Sequence, residues 1–338
     1  MRLQTRLAIG ALGAVTVAGI LGGCGEAGSS GTQAPATGAQ GAGCAPVAGS
    51  TLLVLDDDKK LQNSDNIIPA INSRAAQPPL VAALDKVSDS LDTATLIKLN
   101  RAVDVDRKSS KVAAEEFAAA HNLTAGIPTG GSGSIVIGAA NFSESQTLGE
   151  LYRIALTAAG YQARVQQIGN RELYEPALEK GEIQVVPEYA ATLADFLNNK
   201  LNRQPGGATP PPVSSPDLNQ TLNALKALGE KVGLTFGKAS AAQNQNAFAV
   251  TREFADRYGV RTLSQLAEKC SGTATVLAGP PECPQRPKCQ VGLVQVYNFQ
   301  AGRFSSFDAG GPLTKSALTR GEASVGLVFS SDGELATG

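Results

Sequence analysis

The chain has 338 residues, long enough for two domains with cores of their own, and a formal net charge of −1. Balanced charge with no basic stripe argues against nucleic acid as a partner. One histidine and one methionine argue against histidine-based metal or acid–base chemistry, and His121 reads as a surface residue in an alanine-rich helix.

Met1-Arg2 and Arg6 carry positive charge, Leu7 to Leu21 is apolar and small, and Leu21-Gly22-Gly23-Cys24 follows. This is the pattern of a secretory signal over residues 1–23. A cysteine directly after Leu-Gly-Gly resembles a bacterial lipobox, which implies acylation of Cys24 and an extracytoplasmic protein tethered to the membrane by lipid. With Cys24 set aside, Cys44, Cys270, Cys283 and Cys289 remain, an even number in an oxidising compartment. Three pairings are open. The short spacing favours Cys283–Cys289, which leaves Cys44–Cys270 to pin the N-terminal arm; a zinc site is the weaker alternative.

Residues 24–50 are Gly/Ala/Ser/Thr/Pro-rich and read as a disordered spacer. Leu52–Leu55 and Asn66–Ile71 read as strands, the second broken by Pro69 and therefore expected at an edge or a crossing. Helices are expected near 79–88, 93–103 and 110–121 from apolar residues at helical spacing. Gly126–Ser134 reads as a flexible linker.

After it, Ile135–Gly138 is a buried strand, and Ser143 is expected to cap the helix 144–159. Strand 161–168 follows. Asn170 is a plausible N-cap for a helix that has Glu172 and Glu175 in its first turn and closes at Lys180-Gly181. Ile183, Val185 and Val186 form a buried strand, and Pro187-Glu188-Tyr189 stands at its carboxyl end, where ligands bind in open α/β sheets. Periodicity alone favours a packed Tyr189 over a ligand-facing one. Helices at 189–198, 218–232, 252–258, 263–269, 291–297 and 312–320 are expected, with strands at 246–250, 276–279, 303–307 and 323–329. The β-α alternation predicts an α/β fold with mainly parallel sheets covered on both faces.

I-V-I-G-A-A-N-F-S-E-S at Ile135–Ser145, the whole of Gly169–Leu193, D-A-G-G-P-L at Asp308–Leu313 and V-F-S-S-D-G at Val328–Gly333 together resemble the glycine betaine/choline/carnitine-type (quaternary amine) substrate-binding lipoproteins of ABC importers. The resemblance implies a two-lobe, type II periplasmic-binding fold with a hinge and a ligand cleft between the lobes. It also implies a circular permutation, because the family's usual C-terminal segment stands at 51–125, ahead of the linker 126–134. Lobe 1 is then expected over 51–240 and lobe 2 over 241–326, with 327–338 crossing back and Gly338 lying near Thr51.

The resemblance turns Tyr189 into a ligand contact. With it come Asn141, Phe142, Ser145, Thr192, Asn246, Arg286, Gln290 and Phe329 as candidate ligand-binding residues. Cation–π contacts hold a quaternary ammonium, and arginine or amides meet a carboxylate. Asn246 and Gln290 stand where aromatic residues are common, so the cage reads as thinned and more polar, with Asn141, Gln245, Asn246 and Gln290 available to a more polar ligand. The expected function is capture of a small quaternary-ammonium or zwitterionic osmolyte by a monomer, for delivery to ABC permease subunits. The alternative is the same fold holding another polar solute, as transporter component or sensor. No cofactor, metal or catalytic residue is expected.

Overall fold

The computed structural model describes residues 40–169, 171–203 and 210–335. In chain order these form β1 (Leu52–Val54), β2 (Ile67–Asn72), α1 (Pro78–Asp89), α2 (Thr93–Asp104), α3 (Ser110–Ala120), β3 (Ser134–Ala139), α4 (Ser143–Ala158), β4 (Gln162–Gln167), α5 (Arg171–Lys180), β5 (Val185–Tyr189), α6 (Ala190–Asn202), α7 (Leu218–Val232), β6 (Leu234–Phe236), β7 (Asn246–Thr251), α8 (Arg252–Tyr258), α9 (Leu263–Cys270), β8 (Gly272–Gly279), α10 (Gln290–Tyr297), β9 (Ala301–Ser306), α11 (Pro312–Thr319) and β10 (Val325–Phe329). The signal segment, Cys24, Asn170 (expected as an N-cap) and Gly338 lie outside the described residues.

Two mixed sheets organise the chain, β4-β3-β5-β2-β6 in the first lobe and β1-β7-β10-β8-β9 in the second; antiparallel pairings equal parallel ones in each, so the sheets are not mainly parallel as expected. Alternation along each strand divides the cores. In β2, Ile67 and Ile71 join α1–α4 on one face, while Ile68 and Ala70 join α5–α7 on the other. Ile67, Ile68 and Ile71 are each at most 1 % exposed, and burial of each such side chain contributes about 1.5–3 kcal/mol. Local signals set the helix starts: the side chains of Asp92, Ser109, Asp217, Thr251 and Thr262 each accept a first-turn N–H. Gly181, at φ +79°, follows α5 in the left-handed region that a helix end favours.

Several expectations need correction. Leu327–Phe329, expected to cross back to lobe 1, belong to β10 of the second sheet, and Leu52–Val54, expected in lobe 1, pairs antiparallel with β7 and forms an edge of that sheet. Sequence adjacency grouped it with β2, but the chain crosses between lobes before Ile67. Second, Pro69 does not mark an edge. The bonds Asn72 N to Gln184 O and Ala190 N to Asn66 O, each 2.9 Å, fix the bonded pairs, so Pro69 opposes Pro187 at a non-bonded pair. The nitrogen of Pro69 faces Gly237, one residue past the end of β6, whose N–H donates to Pro69 O at 3.0 Å, so the missing donor costs only the return bond of the last pair.

Third, the stretch 126–134 is not a free linker. Ile127 is buried in the first-lobe core, Gly131 N donates to Ala159 O at 2.9 Å, and a Cβ on Gly131 would stand 2.3 Å from the Tyr161 ring. Fourth, Ser143 does not cap α4. Phe142 occupies the cap position, and the Ser145 hydroxyl accepts instead from Ala140 N at 2.9 Å.

Cys44 is bonded to Cys270 and Cys283 to Cys289. The first bond fixes an arm that also hydrogen-bonds along the second lobe, so residues 40–50, expected within a disordered spacer, are ordered instead. Cys44 N donates to Thr275 Oγ1 at 2.7 Å, Ala274 N to Ala42 O at 2.9 Å and Gly49 N to Thr319 O at 3.0 Å. His121 ends α3 with its ring stacked on Phe117 at 4.1 Å.

Candidate functional site

Two segments carry the chain between the sheets, 55–66 and 237–245, and they pair with each other. Asn66 bridges Gln243, Ile67 N donates to Ala242 O at 3.0 Å and Asn244 N to Asp65 O at 3.1 Å. Ser330, just past β10, joins them through its N–H to Gln245 O at 2.8 Å and its hydroxyl to Gln243 O at 3.1 Å. The crossing therefore forms the floor of a cleft between the lobes. A cavity of about 330 Å³ opens there, walled by Tyr189, Thr192 and Asp195 from the first lobe, Lys288 and Phe329 from the second, and Asn63, Asp65 and Asn244 from the crossing. A neighbouring cavity of about 460 Å³ shares Asn63, Asp195, Ser214, Asn246, Lys288 and Phe329 with it and continues to Arg286 and the Cys283–Cys289 loop.

Tyr189 ends β5 and caps α6, with its side chain 8 % exposed. Burial, with Glu144 beside it, pushes the phenol well above its ordinary range, so it stays a donor. It donates to Glu144 Oε1 at 2.5 Å. Glu144, itself buried on α4, also accepts from Asn244 Nδ2 at 2.8 Å and from Asn100 Nδ2 at 2.6 Å, and Asn100 Nδ2 reaches Ser331 O at 2.7 Å. One carboxylate thus ties the tyrosine wall to the 237–245 crossing and, through Asn100 on α2, to the turn after β10. Phe142 packs on Tyr189 with ring centroids 6.3 Å apart and is 42 % exposed.

Asp65 sits at the start of α6. Its Oδ1 accepts the N–H groups of Ala191 at 2.9 Å and Thr192 at 3.1 Å. Burial raises its carboxyl to about 7, against the lowering effect of those N–H groups and of Arg171. Arg171 forms a two-pronged pair with Glu188 at 2.8 and 2.7 Å and donates to Thr192 Oγ1 at 3.0 Å. That leaves the Thr192 hydroxyl proton free to donate into the cavity.

On the opposite wall, Asn246 and Phe329 are register partners on β7 and β10. Burial lowers the proton affinity of Lys288, whose ammonium donates to Leu61 O and Asn63 Oδ1, both at 2.7 Å. Asn63 donates in turn to the Ser214 hydroxyl, and Ser214 to Asp195 Oδ2 at 2.6 Å, so a polar chain spans the cleft from Lys288 to α6. Arg286 is exposed on the adjoining wall and makes no ion pair with Glu282 among the described residues. No group of three or more His, Cys, Asp or Glu among the described residues could hold a metal ion.

Of the residues named from sequence, the structure brings Tyr189, Thr192, Asn246 and Phe329 together around the first cavity, with Arg286 on its continuation. Asn141 and Phe142 precede α4 and do not line either cavity; Phe142 reaches the site only through Tyr189. Ser145 is 1 % exposed and spends its hydroxyl on Ala140 N, so it is a structural turn group. Gln290 is buried at the start of α10, with its Oε1 unpartnered and away from both cavities. Gln245, named for a more polar ligand, also lines the first cavity, whereas sequence reasoning missed Asn63, Asp65, Asp195, Asn244 and Lys288. The available signals were the polar runs Q-N-S-D-N and Q-N-Q-N, each leading directly into an apolar strand.

No curated protein matches the chain. A family model described as the substrate-binding domain of an ABC-type glycine betaine transport system matches residues 47–120 and 133–337. That family has the type II periplasmic-binding fold, with which the two mixed sheets agree. The chain belongs to the family of substrate-binding domains of ABC-type glycine betaine transport systems.

Proposed function

We propose that the protein captures a small quaternary-ammonium or zwitterionic osmolyte of the glycine betaine kind in the cleft between its lobes and hands it to the permease subunits of an ABC importer. The observation that carries this reading is the polarity of the cleft. Its inner end holds the Tyr189 ring and the Asp65 carboxylate, and its outer continuation holds Arg286, with Lys288 between. A zwitterion would lie along that gradient, its cation at Asp65 and Tyr189 and its carboxylate toward Arg286. Asn246, Thr192 and Phe329 complete the walls.

The protein would act as a monomer held outside the cytoplasmic membrane by acylated Cys24, a residue outside the described segments. No helix among the described residues is long and apolar enough to cross a membrane. Calorimetric titration with glycine betaine, choline, carnitine, proline betaine and ectoine tests this reading. At least one should bind, and Tyr189→Ala should weaken it by roughly 30-fold or more, an aromatic wall and its cation contact being worth about 2 kcal/mol in a desolvated site. Absence of heat with all five, and with N,N-dimethylglycine, sarcosine and glycine as well, would refute it.

We also read the chain order as permuted. Leu335 bridges Leu52 in parallel, so the last described residue lies beside the start of β1, where the permuted segment begins. The family match breaks between 120 and 133, where the chain passes from α3 to β3. A gene that joins residue 338 to residue 51 and opens the chain near Gly130 lacks Cys44, so it should give a protein with unchanged circular dichroism and a Tm within a few degrees of the Cys44→Ala/Cys270→Ala variant. An insoluble or molten product would count against the permutation.

A further inference from the structure

We infer that the cleft recognises its cation through N–H donors, so that its preferred ligand is an ammonium zwitterion retaining at least one N–H rather than a fully N-methylated one. This rests on the solute-binding reading above and names the ligand class for the same site.

A trimethylammonium group offers only C–H surface, and its affinity comes from ring faces arranged around it. Here two rings line the inner cavity, Tyr189 and Phe329. Tyr189 is stacked by Phe142, its hydroxyl is committed to Glu144, and Phe329 is 39 % exposed. Acceptors make up much of the remaining wall. Asp65 is 7 % exposed and spends only Oδ1 on the first turn of α6, which leaves Oδ2 as the oxygen for a ligand. Asn244 Oδ1 is buried without a partner. The side-chain amides of Gln245 and Asn246 also face the cavity and make no hydrogen bond among the described residues. A ligand that displaces water from these acceptors and returns no donor leaves them unsatisfied. An ammonium with one or two N–H groups gives Asp65 a charge-assisted bond and a second donor to Asn244 or Asn246.

The test is calorimetry of the wild-type protein at pH 8 with glycine betaine, N,N-dimethylglycine, sarcosine and glycine, all cationic at nitrogen at that pH. Dimethylglycine or sarcosine should bind at least 10-fold tighter than glycine betaine. The preferred ligand should bind about 5–10-fold more weakly at pH 6 than at pH 8, as the Asp65 carboxyl takes up a proton near 7. The groups acting on Asp65 are the N–H groups of Ala191 and Thr192, Arg171 and Glu188; Asp195 and Lys288 are the other charged side chains of the cavity. Asp65→Asn should compress the series to within about 3-fold and remove the pH dependence. If glycine betaine binds tightest, the inference falls and the transport reading stands. If no member of this series and none of the five osmolytes binds, both fall.

Discussion

Replacing Cys44 and Cys270 together by alanine is expected to lower the Tm by about 10 °C. The bond closes a loop across 226 residues, and chain-entropy arithmetic for a ring of that size gives about 5 kcal/mol. At this chain length each kcal/mol moves the Tm by about 2 °C. Replacing Cys283 and Cys289, only 6 apart, should cost roughly half as much, about 2 kcal/mol. It should instead weaken ligand binding, because that small ring shapes the wall carrying Arg286 and Lys288. Differential scanning calorimetry of the two double variants separates the outcomes. Equal Tm losses, or none for the long-range pair, would contradict the account.

Glu144→Ala is expected to destabilise the protein by about 4 kcal/mol, a Tm loss near 8 °C, and to weaken ligand binding as well. The substitution strands three donors at once: the Tyr189 hydroxyl, Asn244 Nδ2 and one of the two contacts of Asn100 Nδ2. These belong to the tyrosine wall, the 237–245 crossing and α2, so stability and ligand grip should fall together. Glu144→Gln should lie between, since its amide can accept on one side only and turns a second donor toward Asn100 Nδ2. A double-mutant cycle with Tyr189→Phe should show coupling above about 1 kcal/mol. An alanine variant melting within a degree of the wild type would show that the carboxylate is not the junction described above.

Helix positions were readable from sequence because their causes are local. Asp217 before Leu218, Thr251 before Arg252 and Gly181 after Lys180 are caps that act within one turn of themselves. The partners of a strand are not local. Nothing near Leu52 says that its neighbour is Thr251, and nothing near Pro69 says that the strand beside it ends just where a donor is missing. The three-residue β6 was missed because so short a run has no period to detect.

The site divides the same way. Tyr189 lay at a strand end within a motif, and the structure places it on the cavity wall. Asp65 lay in an aperiodic stretch. It gains its position only when 65–67 pairs with 240–244, a contact between segments far apart in sequence. Ser145 and Gln290 fit the family pattern by position, yet each side chain is turned into the fold.

The placement of β1 also fixes the order in which the lobes become complete. The strands of the first sheet all fall between Ile67 and Phe236, whereas β1 must wait for β7, its partner at Thr251. At a typical synthesis rate of about 5–20 residues per second, that wait is roughly 10–40 s. As the chain emerges, the first lobe can close its core while the second consists of an unpaired edge strand and an unbonded Cys44. The early, self-contained lobe carries Tyr189 and Thr192, and the late one adds Lys288 and Phe329. The ligand cleft is therefore the last part of the molecule to come into existence.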